Sequence, residues 1–273
     1  MLQNKLRIEG AEVSYSSWGS ENSNKMIFIH DNPGSSADLH PANITALAKN
    51  FHVVVFDRAG HGESSLRNID FETTRDSILK IAESLKFESF VLMAHSWGSL
   101  FAFDFAEKNP EMVESLFLIN PIAFEMNQKL NFPLGLLKTP GLFSILRSKL
   151  ESKVAELQKQ KCSRETSASA KSFRLSKKEA IGIALEENLL TQSLESFKNI
   201  YPQIQKHVLI LATKDNTYAN WEQQADRLYQ ILPDANIVLE PKGGHLLIAE
   251  DSAPLQRASK LIQKQPERRV AHA

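Results

Sequence analysis

The sequence predicts an α/β fold in which a mostly parallel central sheet is flanked by helices. Continuous apolar runs alternate along the chain with segments in which apolar residues recur at helical spacing. Uninterrupted runs are typical of parallel strands buried on both faces, and strands that alternate with helices favour right-handed crossovers. The runs expected to form strands are Met26–Ile29, Val53–Phe56, Phe90–Met93, Ser115–Ile119, Val208–Ala212 and Ile237–Leu239.

Helical patterns lie between these runs, and a hairpin precedes them. Apolar residues at helical spacing predict helices over about residues 74–85, 100–106 and 221–232. Residues 6–18 are expected to form an antiparallel hairpin, because Glu9-Gly10 offers a turn between two short apolar segments.

Residues 121–200 interrupt this alternation and predict an inserted helical cap. An apolar stripe runs from Phe143 to Leu157, and the serine-rich segment 163–172 is expected to be a loop. Ser176-Lys-Lys-Glu179 has the pattern of a capping box that opens a helix through Leu189. The predicted organisation is a core of residues 1–120 and 201–273 with a cap, or lid, of residues 121–200 over the carboxyl ends of the strands.

Composition excludes several classes of function. The 273 residues carry 32 basic and 32 acidic side chains, which argues against a general attraction to nucleic acid. The single cysteine, Cys162, excludes an intramolecular disulfide and a multi-cysteine zinc site, and the eight histidines show no metal-ligand spacing. With neither a signal-peptide pattern nor a run of about 18 apolar residues, we expect a cytoplasmic protein without a membrane span, a metal or a cofactor.

The strongest chemical signal is the segment Met93-Ala-His-Ser-Trp-Gly-Ser99, between a predicted strand and a predicted helix. A serine at such a junction, here Ser96, is typical of a nucleophile elbow. The small residues Ala94 and Gly98 fit the steric demand of a sharp turn. The Trp97 N–H at the start of the helix is positioned to stabilise a developing oxyanion. The alternative is a turn that only caps the helix.

A serine hydroxyl needs a base, and two later residues fit the required roles. Asp215 directly follows the strand 208–212, and His245 follows the last predicted strand after two glycines. The chain order Ser96, Asp215, His245 is that of hydrolases with a Ser-His-Asp triad on an α/β sheet. All three residues are expected at the same edge of the sheet.

Two loops follow the first long strands, and the first of them is expected to complete the site. Asn32, followed by the turn-forming Pro33-Gly34, is the candidate for the second oxyanion donor, through its backbone N–H or its side-chain amide. A plain Asn-Pro-Gly turn is the alternative. Residues 56–65 have the glycines and charged residues of a tight, hydrogen-bonded loop, and we interpret this loop as structural.

These segments together resemble the α/β-hydrolase superfamily over about residues 1–120 and 201–260. The resemblance implies the α/β-hydrolase fold, with Ser96 as nucleophile, His245 as base and Asp215 as the acid that orients it. Asn32 and Trp97 would form the oxyanion hole. The residues that carry the resemblance are His30-Asp-Asn-Pro-Gly34, Asp57-Arg-Ala-Gly-His-Gly62, Ala94-His-Ser-Trp-Gly98, Asp215 and Gly244-His245.

The motif contexts are most similar to the haloalkane dehalogenase and epoxide hydrolase branch, whose members have aspartate where this chain has Ser96. We therefore expect acyl transfer to serine, with a small-molecule ester, thioester or lactone as substrate. Asp31 replaces the glycine usual in the family, and its carboxylate would oppose negative charge in the oxyanion hole. A catalytically silent ligand-binding protein is therefore the alternative function.

The cap offers two further expectations. Residues 138–178 carry eleven Lys or Arg and three Glu, so this segment is either a solvated surface or a docking site for an acidic carrier or an anionic surface. An apolar pocket beneath the cap is the other expectation, with cap packing as the alternative. Residues expected to contact the substrate are Asp31, His95, Trp97, Phe132, Leu136 and Phe143.

Overall fold

Nine strands form one sheet in the part of the chain that the structure describes. The computed structural model describes residues 3–125, 134–161, 174–214, 219–244, 247–249, 253–262 and 270–272. The strands are β1 (Gln3–Ile8), β2 (Ala11–Trp18), β3 (Lys25–Ile29), β4 (His52–Phe56), β5 (Phe90–His95), β6 (Val113–Ile119), β7 (His207–Thr213), β8 (Ala235–Glu240) and β9 (Val270–His272).

The strand order across the sheet is β1-β2-β4-β3-β5-β6-β7-β8-β9. The β1–β2 and β2–β4 pairs are antiparallel and the other pairs are parallel, which confirms the leading hairpin and the mostly parallel sheet. The hairpin turns at Glu9 and Gly10, which both have positive φ. The short strand β9 was not predicted.

The helices cover both faces of this sheet. They are α1 (Pro41–Leu47), α2 (Phe71–Leu85), α3 (Gly98–Lys108), α4 (Leu134–Lys138), α5 (Leu142–Lys161), α6 (Lys177–Phe197), α7 (Trp221–Ile231) and α8 (Ala253–Ile262). Alternate residues of the strands enter opposite apolar layers: Ile27 and Val54 join one, and Phe28 and Val55 join the other. Helices α2, α3 and α7 pack on the first layer, and α1 and α8 pack on the second.

Helices α4, α5 and α6 are called the inserted helices here, because they lie between β6 and β7. In the described residues of that interval we find no strand, as expected. The predicted stripe is buried at Phe143, Leu150 and Val154, whereas the Leu157 side chain and the segment 163–172 lie outside the described residues. None of the described helices is long and apolar enough to cross a membrane.

The predicted capping box opens α6. The Ser176 hydroxyl accepts a hydrogen bond from the Glu179 N–H, and the Glu179 carboxylate accepts one from the Ser176 N–H. The helix continues to Phe197, past the predicted end at Leu189, because the later apolar residues Leu190, Leu194 and Phe197 are also buried.

Candidate active site

Ser96 occupies a sharp turn between β5 and α3. Its φ angle is +55°, in the left-handed region that non-glycine residues enter only at a cost of about 1–3 kcal/mol. Two hydrogen bonds to the end of β6 and the residues after it hold this conformation. The Ser96 N–H donates to the Ile119 carbonyl at 3.0 Å, and the Ser96 carbonyl accepts from the Ile122 N–H at 3.2 Å.

Gly98 shows why the residue two positions after the serine must be small. A Cβ atom here would lie 2.6 Å from the His30 carbonyl oxygen and 2.7 Å from that of Ile29. The steric demand therefore comes from the end of the neighbouring strand β3, rather than from across the bend. Ala94 is fully buried, so its methyl group is accommodated where the family usually has glycine.

The Ser96 hydroxyl is buried and has no hydrogen-bond partner among the described residues. Asp215 and His245, the predicted acid and base, lie outside those residues. Their convergence on Ser96 therefore stays a prediction. The residues directly before them, Lys214 and Gly244, are described.

Asn120 links the segments that lead to all three predicted triad residues. It directly follows β6, is fully buried and has a φ of +43°. Its backbone N–H donates to the Leu211 carbonyl at 2.8 Å. Its side-chain amide donates to the Gly244 carbonyl at 3.0 Å, and its side-chain oxygen accepts from the Thr213 N–H at 2.9 Å.

These hydrogen bonds bring together the chain segments next to the three predicted triad residues. Gly244 immediately precedes His245, and Thr213 lies two residues before Asp215. Asn120 is one residue from Ile119, the acceptor of the Ser96 N–H. Asn120 was not predicted as part of the site. The available signal was an asparagine at the end of a buried strand, since asparagine tolerates left-handed backbone angles.

The predicted oxyanion loop, residues 30–34, lies beside the elbow, and its Asp31 contacts a predicted oxyanion donor. The Trp97 N–H donates to Asp31 Oδ1 at 3.3 Å, and the Asp31 side chain is buried. The donor expected to stabilise an oxyanion is therefore bonded to a carboxylate in this structure. Whether this carboxylate opposes an oxyanion stays a prediction, as does the role of the Trp97 N–H.

The side chain of Asn32 points toward the inserted helices. Its Nδ2 donates to the Ile183 carbonyl of α6 at 3.2 Å. Because the side-chain amide of Asn32 donates to Ile183, the backbone N–H of Asn32 is the predicted oxyanion donor that remains.

Arg58, from the loop after β4, joins the oxyanion loop to α6. The Arg58 and Glu186 side chains are 1% and 2% exposed, and Arg58 Nε and Nη2 donate to the two carboxylate oxygens of Glu186 at 2.8 and 2.7 Å. The same guanidinium donates to the carbonyls of His30 and Asp31, the latter at 3.1 Å. Glu186 was not predicted, because a glutamate within a helix gives no sign in the sequence that it is buried.

Two pKa values in this network are shifted downward. Burial and then the Arg58 charge lower the pKa of His30 well below its ordinary value, so the ring is neutral. The His30 Nε2 accepts from the backbone N–H of Arg58 at 3.0 Å. The Nδ1 of the same ring therefore donates to the Asp31 carbonyl at 2.7 Å. Burial raises the pKa of Glu186, but Arg58 and His61 outweigh burial and hold that pKa well below its usual range.

The 56–65 loop is densely hydrogen-bonded, as the structural interpretation expects. Asp57 accepts from the N–H groups of Ser36 and Glu63 at 2.8 and 2.9 Å. A Cβ on Gly62, whose φ is +44°, would collide with the Asp57 carboxylate. The connection from this loop to Glu186 was not predicted.

The residues expected to contact a substrate are spread over the sheet edge and the inserted helices. His95 is buried at the end of β5, and Phe143 is buried in the apolar layer that the inserted helices share. Leu136 is 46% exposed on α4, and Phe132 lies outside the described residues. Their contact with a substrate stays a prediction.

Comparisons with known proteins agree on one family. The model of the alpha/beta hydrolase fold family matches residues 24–252. A relative named "Putative carbamate hydrolase RutD", from Pseudomonas syringae pv. syringae, is 28% identical over 252 residues, which cover 82% of this chain and 88% of the relative.

Two solved structures share the fold. The haloalkane dehalogenase DbeA from Bradyrhizobium elkani has a TM-score of 0.77 at 18% identity and covers 97% of this chain and 98% of its own. A variant of the meta-cleavage product hydrolase from Pseudomonas fluorescens IP01 has a TM-score of 0.76 at 16% identity, with 96% and 98% covered.

Proposed function

The chain belongs to the α/β-hydrolase family, and on that premise we propose that it is a serine hydrolase of small-molecule esters, thioesters or lactones. The observation that carries the proposal is the conformation of Ser96. Among the described non-glycine residues with positive φ, Ser96 is the one with a hydroxyl group. It directly follows the buried parallel strand β5 and lies two residues before α3 begins at Gly98, where partial positive charge favours a developing oxyanion.

The proposed reaction proceeds through an acyl-enzyme. Ser96 Oγ attacks the acyl carbon while His245 takes the hydroxyl proton, which then passes to the leaving group. His245 next takes a proton from water, and the resulting hydroxide attacks the acyl carbon. The bond to Ser96 Oγ then breaks, the acid is released, and the proton returns to Ser96 Oγ. Asp215 orients the imidazole throughout, and the backbone N–H groups of Trp97 and Asn32 hold the oxyanion.

Hydrolysis of p-nitrophenyl acetate and butyrate tests this proposal. We expect turnover by the wild-type chain and a loss of about 10³-fold or more in Ser96→Ala. Ser99→Ala is the matched control, because Ser99 is also fully buried near the start of α3. Equal activity in Ser96→Ala and the wild-type chain would refute the assignment.

A catalytically silent binding protein is the second candidate, and the Trp97–Asp31 hydrogen bond favours it. A carboxylate on an oxyanion donor both occupies the donor and repels the developing charge. Because one oxyanion donor is worth about 3–4 kcal/mol, an occupied donor lowers the rate by about 10²–10³-fold.

Variants at Asp31 separate the two candidates. If the carboxylate restrains a competent hydrolase, Asp31→Asn and Asp31→Gly both raise kcat, by up to about 10²-fold. Asp38→Asn is the matched control, since Asp38 instead caps the neighbouring turn by accepting the Ser35 N–H at 2.9 Å. Absence of turnover in the wild-type chain and in Asp31→Gly, over several acyl lengths, supports the silent binding protein.

The basic segment 138–178 supports a further part of the proposal, a substrate delivered by an acidic carrier or an anionic surface. Lys138 and Lys149 are exposed on the inserted helices. We expect kcat/KM for a carrier-borne substrate to fall steeply with salt, while that for a neutral ester stays constant. An equal salt response of both substrates would dismiss the carrier.

A further inference from the structure

We propose that Glu186 is a positioning residue, which acts through Arg58 to orient the predicted oxyanion donor of Asn32. Helix α6 would then set the geometry of the oxyanion hole as well as cover the site. The inference rests on the proposed function, because an oxyanion donor has a role only in a hydrolytic reaction of this kind.

The planarity of one peptide unit connects these residues. The Asp31 carbonyl and the Asn32 N–H belong to the same planar unit, so an orientation imposed on one is imposed on the other. The Asp31 carbonyl accepts from Arg58 Nη2 at 3.1 Å and from His30 Nδ1 at 2.7 Å. These two donors fix the plane of the peptide, and the Asn32 N–H points away from them.

Arg58 can transmit the position of Glu186 because its guanidinium is planar and rigid. One edge of the fork holds the Glu186 carboxylate through Nε and Nη2, while Nη1 and Nη2 reach the carbonyls of His30 and Asp31. With the carboxylate paired at two points, the direction of the other donors is fixed as well. The pair is almost fully buried, so water offers no competing partner.

Helix α6 is held closely enough to keep Glu186 in place. A Cβ on Gly182 would lie 2.9 Å from the Gly60 carbonyl oxygen, so the two backbones are in direct contact. The Lys178 ammonium donates to the carbonyls of Gly62 and Ser64, the latter at 2.8 Å. These contacts join α6 to the 56–65 loop without touching the oxyanion loop.

Two substitutions test the positioning role. Glu186→Gln keeps the shape but removes the charge, and Arg58→Lys keeps the charge but cannot hold the carboxylate and both carbonyls at once. For hydrolysis of p-nitrophenyl butyrate we expect kcat to fall by about 10–10²-fold in both, with KM within about threefold, because a misplaced donor affects the transition state. Affinity for a boronic acid transition-state analogue should fall by a similar factor, and affinity for butyrate should not.

Lys178→Met is the matched control, because it removes another contact between α6 and the core. We expect its kcat to stay within about twofold of the wild-type value. An unchanged or raised kcat in Glu186→Gln and Arg58→Lys would overturn the proposal. An equal loss in Lys178→Met would also overturn it, because docking of α6 would then matter in general.

Hydrogen exchange separates this inference from the proposed function. The amides of residues 31, 32 and 34 should exchange about tenfold faster in Glu186→Gln than in the wild-type chain, and not in Lys178→Met. That result without any esterase activity would keep the positioning role and reject the hydrolase. Unchanged exchange would reject the positioning role even if the wild-type chain is active. If Glu186→Gln does not fold, the paired replacement Arg58→Met/Glu186→Met, which leaves no unpaired buried charge, takes its place in both measurements.

Discussion

The predicted nucleophile elbow and the predicted oxyanion loop lie side by side but are held by different parts of the molecule. Contacts at the ends of two strands hold the elbow: Ser96 bonds to Ile119, the last residue of β6, and to Ile122 beyond it, and Gly98 fits against the end of β3. The oxyanion loop depends on Arg58 and, through it, on Glu186, which is 128 positions further along the chain. Strand ends therefore position Ser96, whereas a contact with the inserted helices positions the 30–34 loop.

The largest expected effect follows from Gly98, where the sheet leaves no space for a side chain. In Gly98→Ala the new methyl group meets backbone carbonyls of β3 and the residue after it, which cannot rotate away. We expect a loss of about 1–3 kcal/mol in the free energy of unfolding, measured in urea, and of about 10²-fold in kcat as Ser96 shifts.

Gly135→Ala is the control for this substitution. A Cβ on Gly135 meets no atom within 4 Å, and the residue lies in α4, so the substitution should be neutral or stabilising by about 0.5–1 kcal/mol. A Gly98→Ala variant as stable and active as Gly135→Ala would show that the sheet does not confine the elbow.

Asn120 lies where the carboxyl ends of β6 and β7 meet the segment at Gly244. In Asn120→Ala the Gly244 carbonyl and the Thr213 N–H lose a buried partner. We expect a loss of about 1–3 kcal/mol in the free energy of unfolding. We also expect kcat to fall about tenfold or more, because the segments at Thr213 and Gly244 are no longer held together.

Asn22→Ala provides the matched control for Asn120. The Asn22 amide also bonds two carbonyls, those of Ala48 and Phe51, but at the opposite edge of the sheet. It should lose stability while kcat stays unchanged. A kcat that falls equally in both variants would mean that stability, rather than loop position, explains the effect.

The smallest expected effect is a difference in the pH dependence of stability. The pKa of Glu186 is held low in the folded chain, so below about pH 4.3 the unfolded chain binds a proton that the folded chain does not, and stability falls. The same sign holds for His30, whose lowered pKa makes stability fall as the pH drops below about 6.5. Urea unfolding between about pH 7 and pH 3 should show both declines.

Glu186→Gln should reduce the decline in stability below about pH 4.3 and keep the one below about pH 6.5. Glu12→Gln is the control, because the pKa of Glu12 is also lowered, by Lys5, but this carboxylate is exposed. It should leave the pH profile essentially unchanged. An unaltered profile in Glu186→Gln would contradict the charged, buried pair.

The sequence predicts the elbow well because the relevant signals are local. A continuous apolar run indicates β5, and a serine between small residues indicates the turn that follows it. The same holds for the capping box at Ser176. The missed helices α1 and α8 are only 7 and 10 residues long, so each shows apolar spacing over no more than three turns.

The remaining parts of the site depend on contacts between distant segments. Nothing in the sequence near Glu186 indicates that Arg58 pairs with it, and nothing near Asn120 indicates that it joins Thr213 to Gly244. Asp31 is an intermediate case. The sequence predicts a carboxylate near the oxyanion hole, and only the structure gives the hydrogen bond from the Trp97 N–H.

Peptide mapping after treatment with a fluorophosphonate probe tests the nucleophile most directly. The proposed chemistry predicts one covalent adduct per chain, located on Ser96, and its loss in Ser96→Ala but not in Ser99→Ala. An adduct on another residue, or labelling that persists in Ser96→Ala, would contradict the assignment of Ser96.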